Sequence, residues 1–116
     1  MTVHTYRNLA NEKYFPKEQS EFIREMRTCA LDIQRLCWRA NNIRVDGNPK
    51  RYERRTDLQD QAAEFCNDML MLIETAMKLF HLPWKKTKYW IDEYAKLRKM
   101  IRAWREGDVK RLKPEG

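Results

Sequence analysis

Apolar side chains recur at alternating intervals of four and three residues through three long stretches of this chain. The first stretch has them at Phe22, Met26, Cys29, Ile33, Leu36, Ala40 and Ile43. The second has them at Leu58, Ala62, Phe65, Met69, Leu72, Ala76 and Leu79, and the third at Trp90, Tyr94, Leu97, Ile101 and Trp104. This spacing keeps one apolar face on an α-helix. Three such helices with short connections predict an all-α, antiparallel up-down helical bundle.

Residues that end helices cluster between the three stretches. VDGNPK, at residues 45–50, has the Gly, Asn and Pro of a helix–helix connection. HLPW, at 81–84, separates the second and third long helices, and Pro83 suits a first helical turn. Thr56 is a candidate cap for a second helix that begins at Asp57; alternatively, that helix extends backwards through residues 52–55. Only three glycines and four prolines occur in the chain, which disfavours a turn-rich β fold.

Both ends of the chain have weaker helical patterns. Tyr6, Leu9 and Ala10 predict a short N-terminal helix. The segment REGDVKRLKPEG, at 105–116, predicts a frayed polar tail from about residue 106. Because 116 residues match the size of one domain, we predict that residues 1–116 form a single helical-bundle domain.

The first two long helices are apolar on more than one face. On the first, Leu31 and Trp38 lie seven residues apart beside arginines, a pattern typical of an interface anchor. Such helices either occupy the centre of their own bundle or pack a second face on another subunit. Alternatively, the N-terminal segment folds over Leu31 and Trp38. The predicted oligomer or partner interface comprises Leu31, Trp38, Leu70, Ile73, Met77 and Phe80.

Basic residues are concentrated in two parts of the chain, within a net charge of +7. Residues 44–55 carry five bases and two acids, and residues 85–116 carry eleven bases and five acids. Residues 56–84, in contrast, carry one base and five acids. Basic surfaces attract polyanions, and arginine offers phosphate a bidentate partner with a permanent charge. Solvated helix faces are the alternative. The predicted nucleic-acid-binding residues are Arg98, Arg102, Arg105, Lys85, Lys86, Lys88, Lys50, Arg51, Arg54, Arg55, Arg35 and Arg39.

Residue types that carry catalysis or bind metals are sparse. His4 and His81 stand at no metal-ligand spacing from cysteines or carboxylates, and no glycine-rich phosphate loop occurs. The three cysteines occupy apolar helical positions, as buried thiols of a reduced compartment do. We therefore expect no catalytic residue, metal or cofactor. The absence of a long apolar run and of a signal peptide leads us to expect a cytoplasmic protein without membrane contact.

Three stretches resemble a known family when they are taken together. YFPKEQSEFIREMRTCALDIQRLCWRANN, LQDQAAEFCNDMLMLIETAMKLFHL and LRKMIRAW are similar to the four-helix-bundle family that contains the accessory variability determinant proteins of diversity-generating retroelements and the 23S rRNA intervening-sequence proteins. The resemblance covers roughly residues 14–105. Its entry motif falls on Phe15, Pro16, Lys17 and Phe22, and its closing motif on Met100, Ile101 and Trp104.

The resemblance implies a non-enzymatic helical bundle that assembles into a ring-shaped homopentamer. Accessory members bind nucleic acid through a basic surface and bind the retroelement reverse transcriptase, which supports mutagenic cDNA synthesis. This chain departs from the family's pattern at two points: only about fourteen residues precede Phe15, and Arg102-Ala103 stands where Gly-Gly often precedes the closing Trp. The alternative is an oligomeric protein-interaction module of the intervening-sequence type with no direct nucleic-acid role. The sequence leaves RNA, DNA and a hybrid open as targets.

Overall fold

The computed structural model describes residues 2–10 and 19–115, and these residues form four α-helices and no strand. The helices are α1 (Thr2–Leu9), α2 (Ser20–Asn41), α3 (Pro49–Phe80) and α4 (Trp84–Leu112). The predicted all-α class, with three long helices and a short N-terminal one, is confirmed. The predicted entry residues Phe15, Pro16 and Lys17 lie outside the described residues. No helix of the described part is both long enough and apolar enough to cross a membrane.

Side-chain contacts show that α2 and α3 run antiparallel. Near the start of α2, the Phe22 ring packs edge-on against Phe80 at the end of α3, with 5.7 Å between ring centroids. Further along α2, the Cys29 thiol donates to the backbone oxygen of Phe65, 3.3 Å away. Polar contacts described below show the same arrangement for α3 and α4. The bundle is long and narrow, 55 × 23 × 18 Å, because the 32 residues of α3 set its length.

Helix α3 occupies the centre of the bundle, since it packs against both α2 and α4. Much of its broad apolar surface is therefore buried within one chain. The prediction that Ile73 lies at an interface is wrong. Ile73 is fully buried in this chain's own core. Leu70 and Phe80 pack against that core, and Met77 is half-buried.

Helix α1 is fixed to the bundle by hydrogen bonds as well as by Leu9, which is buried. The Thr5 hydroxyl lies 2.6 Å from the Tyr94 hydroxyl and accepts a hydrogen bond from Trp90 Nε1 at 3.2 Å. All three side chains are buried. Burial raises the pKa of the Tyr94 hydroxyl to about 12, although its hydrogen bond to Thr5 opposes the change. The predicted core residues Trp90, Tyr94 and Ile101 are thus buried, while Leu97 and Trp104 are half-buried.

Helix α3 begins eight residues earlier than the Thr56 capping alternative requires. The Asn48 side-chain oxygen accepts hydrogen bonds from the backbone N–H groups of Lys50 and Arg51, and Pro49 occupies the first helical position. Thr56 lies inside the helix, where its hydroxyl donates to the backbone oxygens of the preceding turn. The backward extension through residues 52–55 is therefore the correct alternative. At the other end of α3, His81 adopts a left-handed conformation with φ 51°.

The prediction of a frayed tail from about residue 106 is wrong, because α4 continues to Leu112. The polar sequence of residues 105–116 nevertheless includes one position that is buried in the core. Asp108 lies seven residues after Ile101, on the same face of the helix, and its side chain is only 1% exposed. A carboxylate at that position interrupts the apolar pattern without ending the helix.

Candidate nucleic-acid interface

The Arg55 side chain joins three helices at one end of the bundle. Its Nε donates to Asp108 Oδ2 at 2.8 Å, which ties α3 to the last turns of α4. Its Nη1 donates to the backbone oxygens of Ala40 at 3.3 Å and Ile43 at 3.0 Å. These carbonyls belong to the C-terminal end of α2 and the residues after it, where backbone acceptors lack helical partners. One guanidinium group therefore holds the α2–α3 connection and the end of α4 together.

The surroundings of Asp108 complete this network. Gln59 Nε2 donates to Asp108 Oδ2 at 2.6 Å, and Arg111 Nη2 lies 3.5 Å from Oδ1. The Arg55 guanidinium also stacks over the Trp104 ring, 5.3 Å from its centroid. The Arg55 side chain is 13% exposed. Because Nε and Nη1 donate within the chain and one face of the guanidinium is covered by Trp104, Arg55 has a structural role in place of the predicted phosphate contact.

The connection between α2 and α3 presents further cations to solvent. Val45 is buried and anchors the connection, while Asp46 and Gly47 turn the chain through positive φ angles of 47° and 74°. The following helix then starts with Lys50 and Arg51 exposed. Basic side chains of this short segment consequently stand at the same end of the bundle as the last turns of α4.

We define the basic end as the exposed cations around the Arg55–Asp108 pair. Residues 35–57 carry seven basic and three acidic side chains, and residues 102–115 carry five and three. Some of these cations have acidic neighbours: Arg51 lies 4.0 Å from Asp46. The members of the basic end are Arg39, Arg44, Lys50, Arg51, Arg54, Lys110, Arg111 and Lys113, all of which are exposed.

Four members of the basic end escaped the sequence prediction. They are Arg44 and, within the predicted polar tail, Lys110, Arg111 and Lys113. A signal for the last three exists in the sequence: the core spacing of α4 continues from Ile101 through positions 104, 108 and 112. It becomes visible only if Asp108 is accepted as a core position.

The predicted arginine stripe on α4 is largely engaged within the chain. Arg98 donates to the Asn67 side-chain oxygen, and Arg105 pairs with Asp60, both on α3. Arg102, between them, is exposed and has no ion pair or hydrogen bond to another described residue. Asp60 therefore offsets the charge of Arg105 and Asn67 fixes Arg98 by a hydrogen bond, which leaves Arg102 as the free member of this stripe.

The remaining predicted cations lie apart from the basic end or close to acids. Lys85, Lys86 and Lys88 are exposed at the start of α4. They lie roughly 30 Å along the helix from Asp108, at 1.5 Å per residue, and Lys88 is 3.7 Å from Asp92. Arg35 donates to Asp32 one turn earlier in α2, whereas Arg39 is exposed at the basic end. The structure thus separates Arg39, Lys50, Arg51 and Arg54 at the basic end from Lys85, Lys86 and Lys88 at the opposite end, with the α4 stripe between them.

The described residues place no group of three or more His, Cys, Asp or Glu side chains where they could hold a metal ion. The thiols of Cys29 and Cys66 are buried, and burial is the main reason that the pKa of each is raised to about 12. Burial likewise raises the pKa of the half-buried Cys37 thiol. Thiols with raised pKa values are poor nucleophiles near neutral pH, because the thiolate is the reactive form.

Comparison of the chain with protein-family models, with curated proteins and with solved structures finds no match.

Proposed function

We propose that this protein is a non-enzymatic nucleic-acid-binding bundle that holds the phosphate backbone with its basic end. The observation that carries the proposal is the arrangement around Arg55. The buried pair of Arg55 and Asp108 holds together the end of α2, the start of α3 and the end of α4. The eight exposed cations of the basic end lie on these same segments. Lysine and arginine side chains placed in this way can follow a sugar–phosphate backbone without reading its bases.

Counterion release would supply most of the binding free energy. Each phosphate that a protein neutralises on duplex DNA contributes about −0.9 to the slope of log K against log salt. If about half of the eight cations contact phosphates, the slope is near −4, and affinity falls roughly 100-fold between 50 and 200 mM salt. Trp90, Tyr94 and Trp104 lie in or against the core, so base stacking by these α4 aromatics has no part in the proposal.

The resemblance adds the biological setting to this proposal. In that setting the protein is an accessory variability determinant of a diversity-generating retroelement, binds RNA, DNA or both, and acts as a scaffold for the reverse transcriptase during mutagenic cDNA synthesis. It also works as a homo-oligomer, with a pentameric ring favoured. The helical bundle and its basic end support this setting.

The test compares two charge reversals of equal size in a fluorescence-anisotropy titration with structured RNA and duplex DNA. Arg54→Glu with Lys110→Glu alters the basic end, and Lys85→Glu with Lys88→Glu alters the opposite end. We expect the first pair to weaken binding at least tenfold and the second less than threefold. Equal weakening by both pairs would show that net charge alone governs binding, and no complex at 50 mM salt would refute the proposal.

A second candidate function is a protein-interaction module, and one observation favours it. Trp38 is 67% exposed on the outer face of α2, and Leu31 is exposed one heptad earlier. Large exposed apolar side chains of this kind are typical of binding surfaces. This candidate predicts no nucleic-acid complex and loss of a protein contact on Trp38→Ala.

A further inference from the structure

The outer face of α2 carries an apolar strip beside three arginines, one of which, Arg35, donates to Asp32 of its own chain at 3.0 Å. We define the strip as Leu31 and Trp38, which lie two helical turns apart. Arg24, Arg27 and Arg35 are exposed at neighbouring positions of the same face. An acidic side chain occurs at none of positions 24, 27, 28, 31, 34, 35 and 38. A partner of this strip should therefore be apolar at its centre and acidic at its edge.

A surface with that chemistry lies elsewhere on the same chain. Helices α2 and α3 form an open groove of about 270 Å³ whose apolar residues are Cys29, Phe65, Met71 and Leu72. Met71 is 54% exposed, so apolar surface remains accessible at the rim.

Carboxylates flank the groove on both sides. Glu25 and Asp32 contribute from α2, and Asp68 contributes from α3. Burial and, after it, the charges of Asp68, Asp32 and Glu25 raise the pKa of the Cys29 thiol, which lies in the groove beside them. The groove and the strip lie on neighbouring faces of α2: Glu25 and Asp32 are on the side towards α3, and Thr28 stands between the two surfaces.

We propose that the Leu31–Trp38 strip of one copy of this chain seats in the groove between α2 and α3 of a second copy. Arginines of the strip then face Glu25 and Asp68, since Asp32 is paired with Arg35 of its own chain, and Trp38 packs against Met71 and the apolar residues of the groove. The contact is heterologous, because it joins two different surfaces of the same chain. The inference rests on the proposed self-association and is independent of nucleic-acid binding.

This geometry explains an observation that the bundle alone does not. Residues 57–77 of α3 carry five acids and no base, whereas the outer face of α2 carries Arg24, Arg27 and Arg35. Unlike charges on two separate faces favour a defined contact between copies and disfavour a strip-to-strip contact, in which arginines would meet arginines.

Two variants that disable opposite sides of the contact provide the test. Trp38→Ala removes the strip's anchor, and Asp68→Arg reverses one charge of the groove. We expect each variant alone to raise the dissociation constant of self-association by about 30-fold or more, as truncation of a central tryptophan anchor does. An equimolar mixture should form a 1:1 heterodimer that grows no further, because the intact groove of one variant meets the intact strip of the other. Sedimentation velocity and native mass spectrometry of the full chain would measure both effects.

Trp84→Ala is the matched control, because Trp84 is 61% exposed but lies at the start of α4. Its self-association should equal that of the unaltered chain. The inference is overturned if the unaltered chain is a monomer at 100 µM, if Asp68→Arg associates normally, or if the mixture forms no heterodimer. Anisotropy titrations at concentrations where the variants are monomeric report nucleic-acid binding separately, so failure of this inference and failure of the proposed function are distinguishable.

Discussion

Replacement of Asp108 by alanine tests whether the end of α4 is part of the folded bundle. The change leaves Arg55 in a site where only 13% of its side chain is exposed, and it removes the acceptor of Gln59 Nε2. Loss of one partner from a buried ion pair costs about 3 to 5 kcal/mol. Arg55 retains two backbone acceptors and the Trp104 face, so we expect about 3 kcal/mol, the lower end of that range.

The corresponding change in melting temperature follows from the chain length. Unfolding entropy is about 2.1 cal/mol/K per residue, which gives about 0.24 kcal/mol/K for 116 residues. A loss of about 3 kcal/mol therefore lowers the melting temperature by about 12 °C. Thermal and urea unfolding followed by far-UV circular dichroism would measure the loss, at a fixed low protein concentration because self-association raises apparent stability.

Two further variants separate the buried pair from surface charge. Arg111→Ala removes an ion pair in which the arginine side chain is 72% exposed, so it should cost less than about 1 kcal/mol. Arg55→Met combined with Asp108→Leu should cost much less than the sum of the two single changes, because no charge is left buried without a partner. A cost below about 1 kcal/mol for Asp108→Ala would refute the reasoning and support a frayed tail.

Two other changes probe the packing of α1 and the buried thiols. Thr5→Val removes the hydroxyl that contacts both Tyr94 and Trp90, and urea unfolding should show a loss of about 1 to 3 kcal/mol. Stability should fall as pH rises above about 9: the folded chain keeps protons on Cys29, Cys66 and Tyr94, whose pKa values are raised to about 12, while the unfolded chain releases them nearer 9 to 10. Urea unfolding at pH 8 and pH 10 measures this fall, and Cys29→Ala with Cys66→Ala should reduce it; equal stability at both pH values would contradict the assignment.

The alternating spacing was enough to predict the helices, because each helix here has a core face that local residues define. Errors occurred where a polar side chain serves a structural role. Asn48 caps α3 and Asp108 occupies a core position of α4, and in each case the apolar pattern gives no indication. The partners of Asn48, the N–H groups of Lys50 and Arg51, are local, whereas Asp108 depends on Arg55, which only the folded chain brings close across 53 positions.

Charge segregation predicted that a basic surface exists but not which cations belong to it. Eleven of the twelve predicted cations remain exposed or half-exposed, and only Arg55 is largely buried, yet the surroundings of the eleven differ. Arg98 and Arg105 meet polar side chains of α3, and Lys85 lies at the opposite end of the bundle. Which cations remain free depends on the register between helices, a property of packing that composition along the chain does not contain.

The two proposals make different demands on the same set of arginines. A cation that faces a carboxylate of a neighbouring copy is not free to bind phosphate. Because the strip on α2 and the basic end use different cations, self-association and nucleic-acid binding should be independent. Arg35 and Arg54 allow a direct comparison, because Arg35 flanks the strip and Arg54 belongs to the basic end. Arg35→Glu should weaken self-association and leave monomer binding to nucleic acid nearly unchanged, and Arg54→Glu should do the reverse. If either single change weakened both properties equally, the strip on α2 and the basic end would be one surface, and the distinction between them would be wrong.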